Sequence, residues 1–377
     1  MIDTRPRATQ ALASTGDASA RPVRVKTPWI YSPKFDLLAI IGPPVAITLL
    51  VLIWGSRLAS LDMPIWVWVV LILGIDVAHV YSSLFRTYFD RDEFRRRKTL
   101  YLVAPTACWL GGIAIYALSG PVYFWLAVAY FAIYHFVRQQ YGFLMLYRRG
   151  EPKGLGYRID QIAIYMATIY PLIYWHTYSR NFQWFDGVDV IRIPWTWPDL
   201  LFRGIYVLAL GAFFAKEAYR WRTTGSLNAG KVLLLTATAA AWATGIIVFN
   251  GDLTFSLVNI VSHGIPYMAL IWIYQYRKRG NAANAGNRFL KFFQLKYVPF
   301  YALALFAFAW FEEGVWDWTS WHEHAGVFGS LTIPASATVL AILVPLLTMP
   351  QLTHYVLDAF IWRVNRKGKE EIRAVIG

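Results

Sequence analysis

Long apolar runs alternate along the chain with short charged or turn-rich breaks, and the length of the runs decides what they are. A helix rises about 1.5 Å per residue and needs roughly 20 apolar residues to cross a bilayer. Ten runs qualify, at about 36–54, 65–88, 100–118, 121–147, 158–178, 200–220, 231–249, 253–275, 296–315 and 333–363. Two of the breaks are tight, Ser119-Gly120-Pro121 and Asn250-Gly251-Asp252. The pattern predicts an all-α fold: a polytopic integral membrane bundle of about ten transmembrane helices forming one domain over 29–364. The segment 1–28 is polar, rich in Ala, Ser, Thr and Arg, and lacks the apolar stretch of a cleavable signal, so it reads as a disordered cytoplasmic tail. A basic cytoplasmic tail, 365–377, closes the chain.

Composition agrees with lipid as the solvent, since 57% of the residues are hydrophobic and only 15% charged, outside the usual range of a soluble domain. The net charge of +14 does not indicate nucleic acid, because the basic residues form clusters between the apolar runs rather than one polar face. Those clusters orient the chain, as cytoplasmic loops retain Lys and Arg. The N-terminal tail, Arg95-Arg96-Arg97-Lys98, Arg148-Arg149, the Arg220 to Lys231 loop, Arg277-Lys278-Arg279 and the C-terminal tail are basic. The intervening loops carry Arg57, Arg180 and Arg192, and the last of them holds Glu312, Glu313, Asp317 and Glu323. Ten spans with both termini cytoplasmic fit this alternation. Arg86, Arg138 and Lys216, near the cytoplasmic ends, read as snorkelling anchors. The single cysteine, Cys108, excludes an intrachain disulfide and a cysteine metal site.

Ionisable groups inside a span are costly and usually functional. His79, His135, His263 and His354 lie in the second, fourth, eighth and tenth runs. All four runs point the same way, and each histidine falls at a similar depth in the cytoplasmic half, so the four can meet. Each has a polar companion one turn away: Asp76 for His79, Gln139 for His135, Asn259 for His263 and Asp358 for His354. Gln351 lies nearby, and Arg138 is close enough in sequence to neutralise a carboxylate. A metal-ligating histidine needs such a companion to fix its tautomer and ring direction. A lone histidine in a span is more often an interhelical hydrogen-bond donor, and His176 is read that way, among Tyr174, Trp175 and Tyr178. His322 and His324 belong to a solvated outer loop.

Imidazole with carboxylate suits iron, zinc, copper or manganese, and iron fits best the use expected in a lipid-facing bundle, oxygen chemistry on a lipophilic small molecule. Heme competes, because histidines on facing helices are common axial ligands, but one heme needs only two of the four. The pattern therefore indicates a metal-dependent membrane oxidoreductase. A proton-coupled carrier or transporter using the same His and Asp residues, and a heme-binding or structural subunit of a membrane complex, are the alternatives. An electron donor and a homo-oligomer are further partners to expect beside membrane lipids.

The segments Tyr134-His135-Phe136, Ser262-His263-Gly264-Ile265-Pro266 and His354-Tyr355-Val356-Leu357-Asp358 resemble bacterial membrane-bound β-carotene dioxygenases and, more broadly, histidine-rich integral membrane iron oxygenases. The resemblance covers a few residues around each histidine. It implies a four-histidine iron site at His79, His135, His263 and His354, an isoprenoid or other long hydrocarbon with O2 as substrates, and a place in the bacterial inner membrane. The paired-histidine boxes of membrane desaturases are absent.

Overall fold

The computed structural model describes residues 29–182, 190–280 and 286–362. The tails assigned to 1–28 and 365–377 lie outside the described residues. Within them the fold is all-helical, with no strand. Ten long helices follow one another: α1 Pro33–Leu58, α2 Ile65–Arg86, α3 Lys98–Ser119, α4 Pro121–Tyr147, α5 Leu155–Thr177, α6 Trp197–Thr224, α7 Ala229–Val248, α8 Asp252–Arg279, α9 Leu295–Trp321 and α10 Ala337–Ile361. Eight are long and apolar enough to cross a membrane. The other two, α4 and α5, are as long but less apolar.

Local chemistry sets the boundaries. Gly120 adopts φ +89°, a left-handed value that only glycine takes freely, and Pro121 then starts α4 at a position where no amide hydrogen is needed. Ser336 and Asn228 cap α10 and α7 by accepting hydrogen bonds from the amides of Val339 (3.3 Å) and Lys231 (3.2 Å).

The most buried helix is α8, with 67% of its most apolar window inside the protein, against 11% for α3. It packs on α1, α2 and α7, while α3 pairs with α10 and α6 with α5. Leu102, Val103, Leu110 and Leu118 of α3, and Leu200, Leu201 and Leu208 of α6, face outward, as a lipid-exposed surface requires. Close approach at the centre depends on Gly264 of α8. A Cβ there would meet Ile75 Cγ2 at 2.6 Å and the Ile75 carbonyl oxygen at 3.1 Å, so hydrogen in place of a side chain is what lets α2 and α8 touch. Just before His79, α2 widens into π-type turns over Val69–Val77, a local rewinding frequent at functional sites.

Three basic residues read as snorkelling anchors behave differently. Arg86 is buried, with NH1 3.3 Å from a Glu93 carboxylate oxygen and its guanidinium 4.0 Å from the Tyr274 ring centre. Lys216 pairs with Asp160 and with Glu217 (2.7 Å). Arg138 is exposed, stands 4.7 Å over the Tyr141 ring and donates to the Tyr165 hydroxyl. Arg86 and Lys216 turn inward because a buried carboxylate waits for each, and an unpaired charge at that depth is far more costly than a paired one.

These pairs belong to two ion networks at one end of the bundle. Glu93 is held by Arg86, Arg96, Arg97 and the Tyr101 hydroxyl. Asp160, Glu151 and Glu217 gather Arg148, Lys216, Arg220 and Lys231 from α6, α7 and the turn after α4. Glu151 lies in that turn, outside the apolar spans. Burial pushes its carboxyl upward, but Lys231, Asn228 and Arg220 outweigh this and bring it from about 4.5 down to about 2.

Glu312 and Glu313 do not lie in an outer loop. They belong to the helical section Val298–Trp316 of α9 and are turned into the protein. The helix continues through them because two charges at its end cost little backbone regularity, whereas a loop would expose more main chain.

Candidate metal centre

His79 from α2, His135 from α4, His263 from α8 and His354 from α10 meet in the interior, each at most 3% exposed. Two Nε2–Nε2 pairs are in direct contact: His79 with His263 at 3.0 Å, and His135 with His354 at 3.2 Å. The pairs cross, with ring centres 5.0 Å apart for His79 and His354 and 5.0 Å for His135 and His263. One ligand nitrogen from each ring lies within 4.8 Å of all the others. A metal about 2.1 Å from each nitrogen sets neighbouring nitrogens about 3.0–3.4 Å apart, so two pairs already stand at that spacing and the set needs to close by about 1 Å. Among the described residues this is the only group of three or more His, Cys, Asp or Glu side chains so arranged.

The chemistry of the donors fits a cation better than hydrogen bonding among themselves. Two neutral imidazoles facing each other through Nε2 share one proton, which satisfies a pair but leaves the outer nitrogens dependent on other partners. Nδ1 of His79, His263 and His354 has no hydrogen bond at ordinary geometry. Leaving such an atom buried costs about 1–3 kcal/mol. An ion taking the four Nε2 lone pairs would make every Nδ1 an N–H donor, and two of these, on His79 and His135, already face a carboxylate, Asp76 and Asp358.

The surrounding groups only partly follow the sequence spacing. Asp76 faces its expected partner, with Oδ1 3.8 Å from His79 Nδ1. Asp358 does not serve His354, its companion one turn back; its Oδ2 lies 3.7 Å from Nδ1 of His135 on α4, and its Oδ1 accepts from the Tyr267 hydroxyl at 2.5 Å. Both carboxylates are aligned with a ring nitrogen but stand beyond direct hydrogen-bond length. Gln139 does not meet His135; its Nε2 donates to the His263 carbonyl at 2.9 Å and ties α4 to α8. Gln351 donates to the Tyr355 hydroxyl at 2.6 Å, and the Tyr355 ring stacks on His135 with centres 4.8 Å apart. Asn259 makes no hydrogen bond to His263. Arg138 points away, onto Tyr165.

Two tyrosines and a phenylalanine complete the wall, and sequence spacing gives no sign of them. Tyr267 stands edge-on to His354 at 4.9 Å, and Phe136 packs on His263 at 4.2 Å. The remaining histidines are outside. His176 uses both ring nitrogens, with the Tyr130 hydroxyl at 2.8 Å and the Leu172 carbonyl at 2.6 Å. His324 stacks on Trp68 at 3.9 Å, and His322 is exposed in a left-handed turn.

Comparison with protein-family models, with curated proteins and with solved structures finds no match to this chain.

Proposed function

We propose that this chain is a metal-dependent membrane oxidoreductase, with one non-heme iron held by His79, His135, His263 and His354 and acting with O2 on a lipophilic substrate. The convergence of four buried Nε2 atoms carries this reading. Iron bound there would supply one-electron and oxygen chemistry. The chain's own groups surround the ligands: Asp76 stands 3.8 Å from His79 Nδ1 and Asp358 3.7 Å from His135 Nδ1, with Asp358 itself held by Tyr267. Tyr355, anchored by Gln351, keeps His135 from rotating, and the apolar wall excludes bulk water.

The reading includes ten spans with both termini on the cytoplasmic side of a bacterial inner membrane. The length of α4 and α5 supports the count, since each is long enough to cross, and the basic loops support the orientation. Heme is disfavoured because it would use only two of the four converging rings as axial ligands.

One observation favours the carrier alternative. Glu312 and Glu313 lie inside α9 and extend the polar region towards Asp317 at its end, as a route for ions does. Metal analysis and the absorption spectrum of protein purified in detergent test the main reading. About one iron per chain without a Soret band is expected; stoichiometric heme overturns it. Metal-coupled proton or cation flux across vesicles reconstituted with the chain would favour the carrier instead.

A further inference from the structure

On the outside of α4 and α5 one basic side chain stands apart from the rest. Arg86, Arg148, Lys216, Arg220, Lys231 and Lys278 each hold a carboxylate. Arg138 of α4 is exposed, and among the described residues no carboxylate pairs with it. With Pro121, the first residue of α4, at the outer edge of the hydrocarbon, Arg138 lies about 26 Å along the helix axis. That is within a side chain's length of the inner edge of a layer about 30 Å thick. A guanidinium left without an anion at this boundary is costly, and a snorkelling one relieves the cost only by stretching towards water.

Arg138 is instead pinned sideways against α5. Its guanidinium stands 4.7 Å over the Tyr141 ring and donates to the Tyr165 hydroxyl, and the two tyrosine rings stack with centres 5.1 Å apart. The Tyr141 hydroxyl is in turn 3.1 Å from that of Tyr157, and Gln161 donates to both at 3.0 Å. Side chains of two helices thus fix the charge on the surface of the pair. A guanidinium has five N–H donors, and among the described residues one of them meets a hydrogen-bond acceptor. Stacking on a ring leaves the edge of the fork for an oxyanion. Towards the outer side the same stripe turns aromatic. Tyr134 and Phe131, one and two turns before Arg138 and so on its face, are 56% and 49% exposed.

We infer that Arg138, clamped by Tyr141 and Tyr165, binds the phosphate of an anionic phospholipid in the cytoplasmic leaflet, with an acyl chain lying along Tyr134 and Phe131. Charge requires an anion here, and depth selects a lipid, because the cation lies at the head-group boundary and the aromatic stripe on its acyl side. A second copy of the chain fits less well. The exposed carboxylates among the described residues, Asp62, Asp92, Asp252 and Glu323, lie in connections or at a helix end, so a copy brings none to this depth. The site goes beyond the metal-centre reading and uses none of its residues.

Native mass spectrometry of the full-length protein in detergent, titrated with phosphatidylglycerol and with phosphatidylcholine, tests the site. The first phosphatidylglycerol should bind about 5-fold more tightly than the first phosphatidylcholine, the gain expected of one Arg at an anionic head, and R138Q should abolish that preference. R138K, which keeps the charge but not the fork, should retain part of it. R57Q, a change at an exposed Arg outside the stripe, should behave as wild type. Y165F removes one hydroxyl and loosens the clamp; it should weaken the preference, and it serves if R138Q does not fold. A wild type without the preference overturns the site, as does an undiminished preference in R138Q. A wild-type dimer that R138Q separates would put a second copy on the stripe, and displacement of phosphatidylglycerol by inorganic phosphate would make the ligand a free anion; either overturns the lipid. Metal content is read in none of these titrations, so the lipid site and the metal centre stand or fall separately.

Discussion

At the scale of single residues, the four histidines contribute one donor atom each to a common point, and this makes their substitution effects alike. His79→Ala, His135→Ala, His263→Ala and His354→Ala should each strip most of the bound metal, because a vacated position leaves three rings spread around a partly filled cavity. Asp76→Asn and Asp358→Asn should weaken metal binding by roughly 10- to 100-fold, the usual loss when a group orienting a ligand is changed. His176→Ala, His322→Ala and His324→Ala should leave metal content unchanged, since those rings serve Tyr130, solvent and Trp68. Equilibrium titration of each purified variant checks all of these, and loss of metal in the His176 variant would show that the response is global unfolding. Reading the sequence singles out the four histidines and Asp76 because an ionisable group in an apolar run has few other reasons to be there. It misplaces Asp358 and Gln139, because helical spacing shows which residues share a face and not which neighbouring helix that face meets.

At the scale of elements, the α2–α8 crossing is where packing controls the site. Gly264→Ala places a methyl group against the Ile75 backbone and side chain, and neither can yield without moving α2. Overpacking of this kind costs about 1–3 kcal/mol, and it should separate His79 from His263, lowering metal affinity about 10-fold or more in the same titration. Helix boundaries are legible to within a few residues for most spans, as with 121–147, because glycine, proline and charge mark the ends. The inward turn of Glu312 and Glu313 is not legible, since a pair of charges next to an aromatic-rich outer loop reads as the end of a span. Nor are the ion networks, whose basic members look like interface anchors until Asp160 and Glu93 are placed beside them. The Glu151 carboxyl gives those networks a pH signature. Its value is depressed in the folded protein, so its stabilising contribution is complete above the ordinary carboxyl range and is lost as pH falls from about 4.5 towards 2. Melting temperature in detergent should fall across that window, and Glu151→Gln should flatten the dependence.

At the scale of the whole molecule, the shared depth of the histidines and the alternation of basic loops are one claim, because an odd number of crossings would move two of the four to the opposite half of the bilayer. Reporter fusions at Arg96 and Glu323 should report opposite sides, with Arg96 cytoplasmic; the same side at both positions would contradict the ten-span arrangement. Whatever the number of spans, the proposed function requires one metal ion held by four imidazoles from α2, α4, α8 and α10. X-ray absorption at the iron edge of the loaded, purified protein addresses it most directly. Four nitrogen neighbours at about 2.1 Å are expected, with the outer scattering of imidazole rings and about one iron per chain. An oxygen-dominated shell without imidazole scattering, or a spectrum unchanged in His354→Ala, would contradict it.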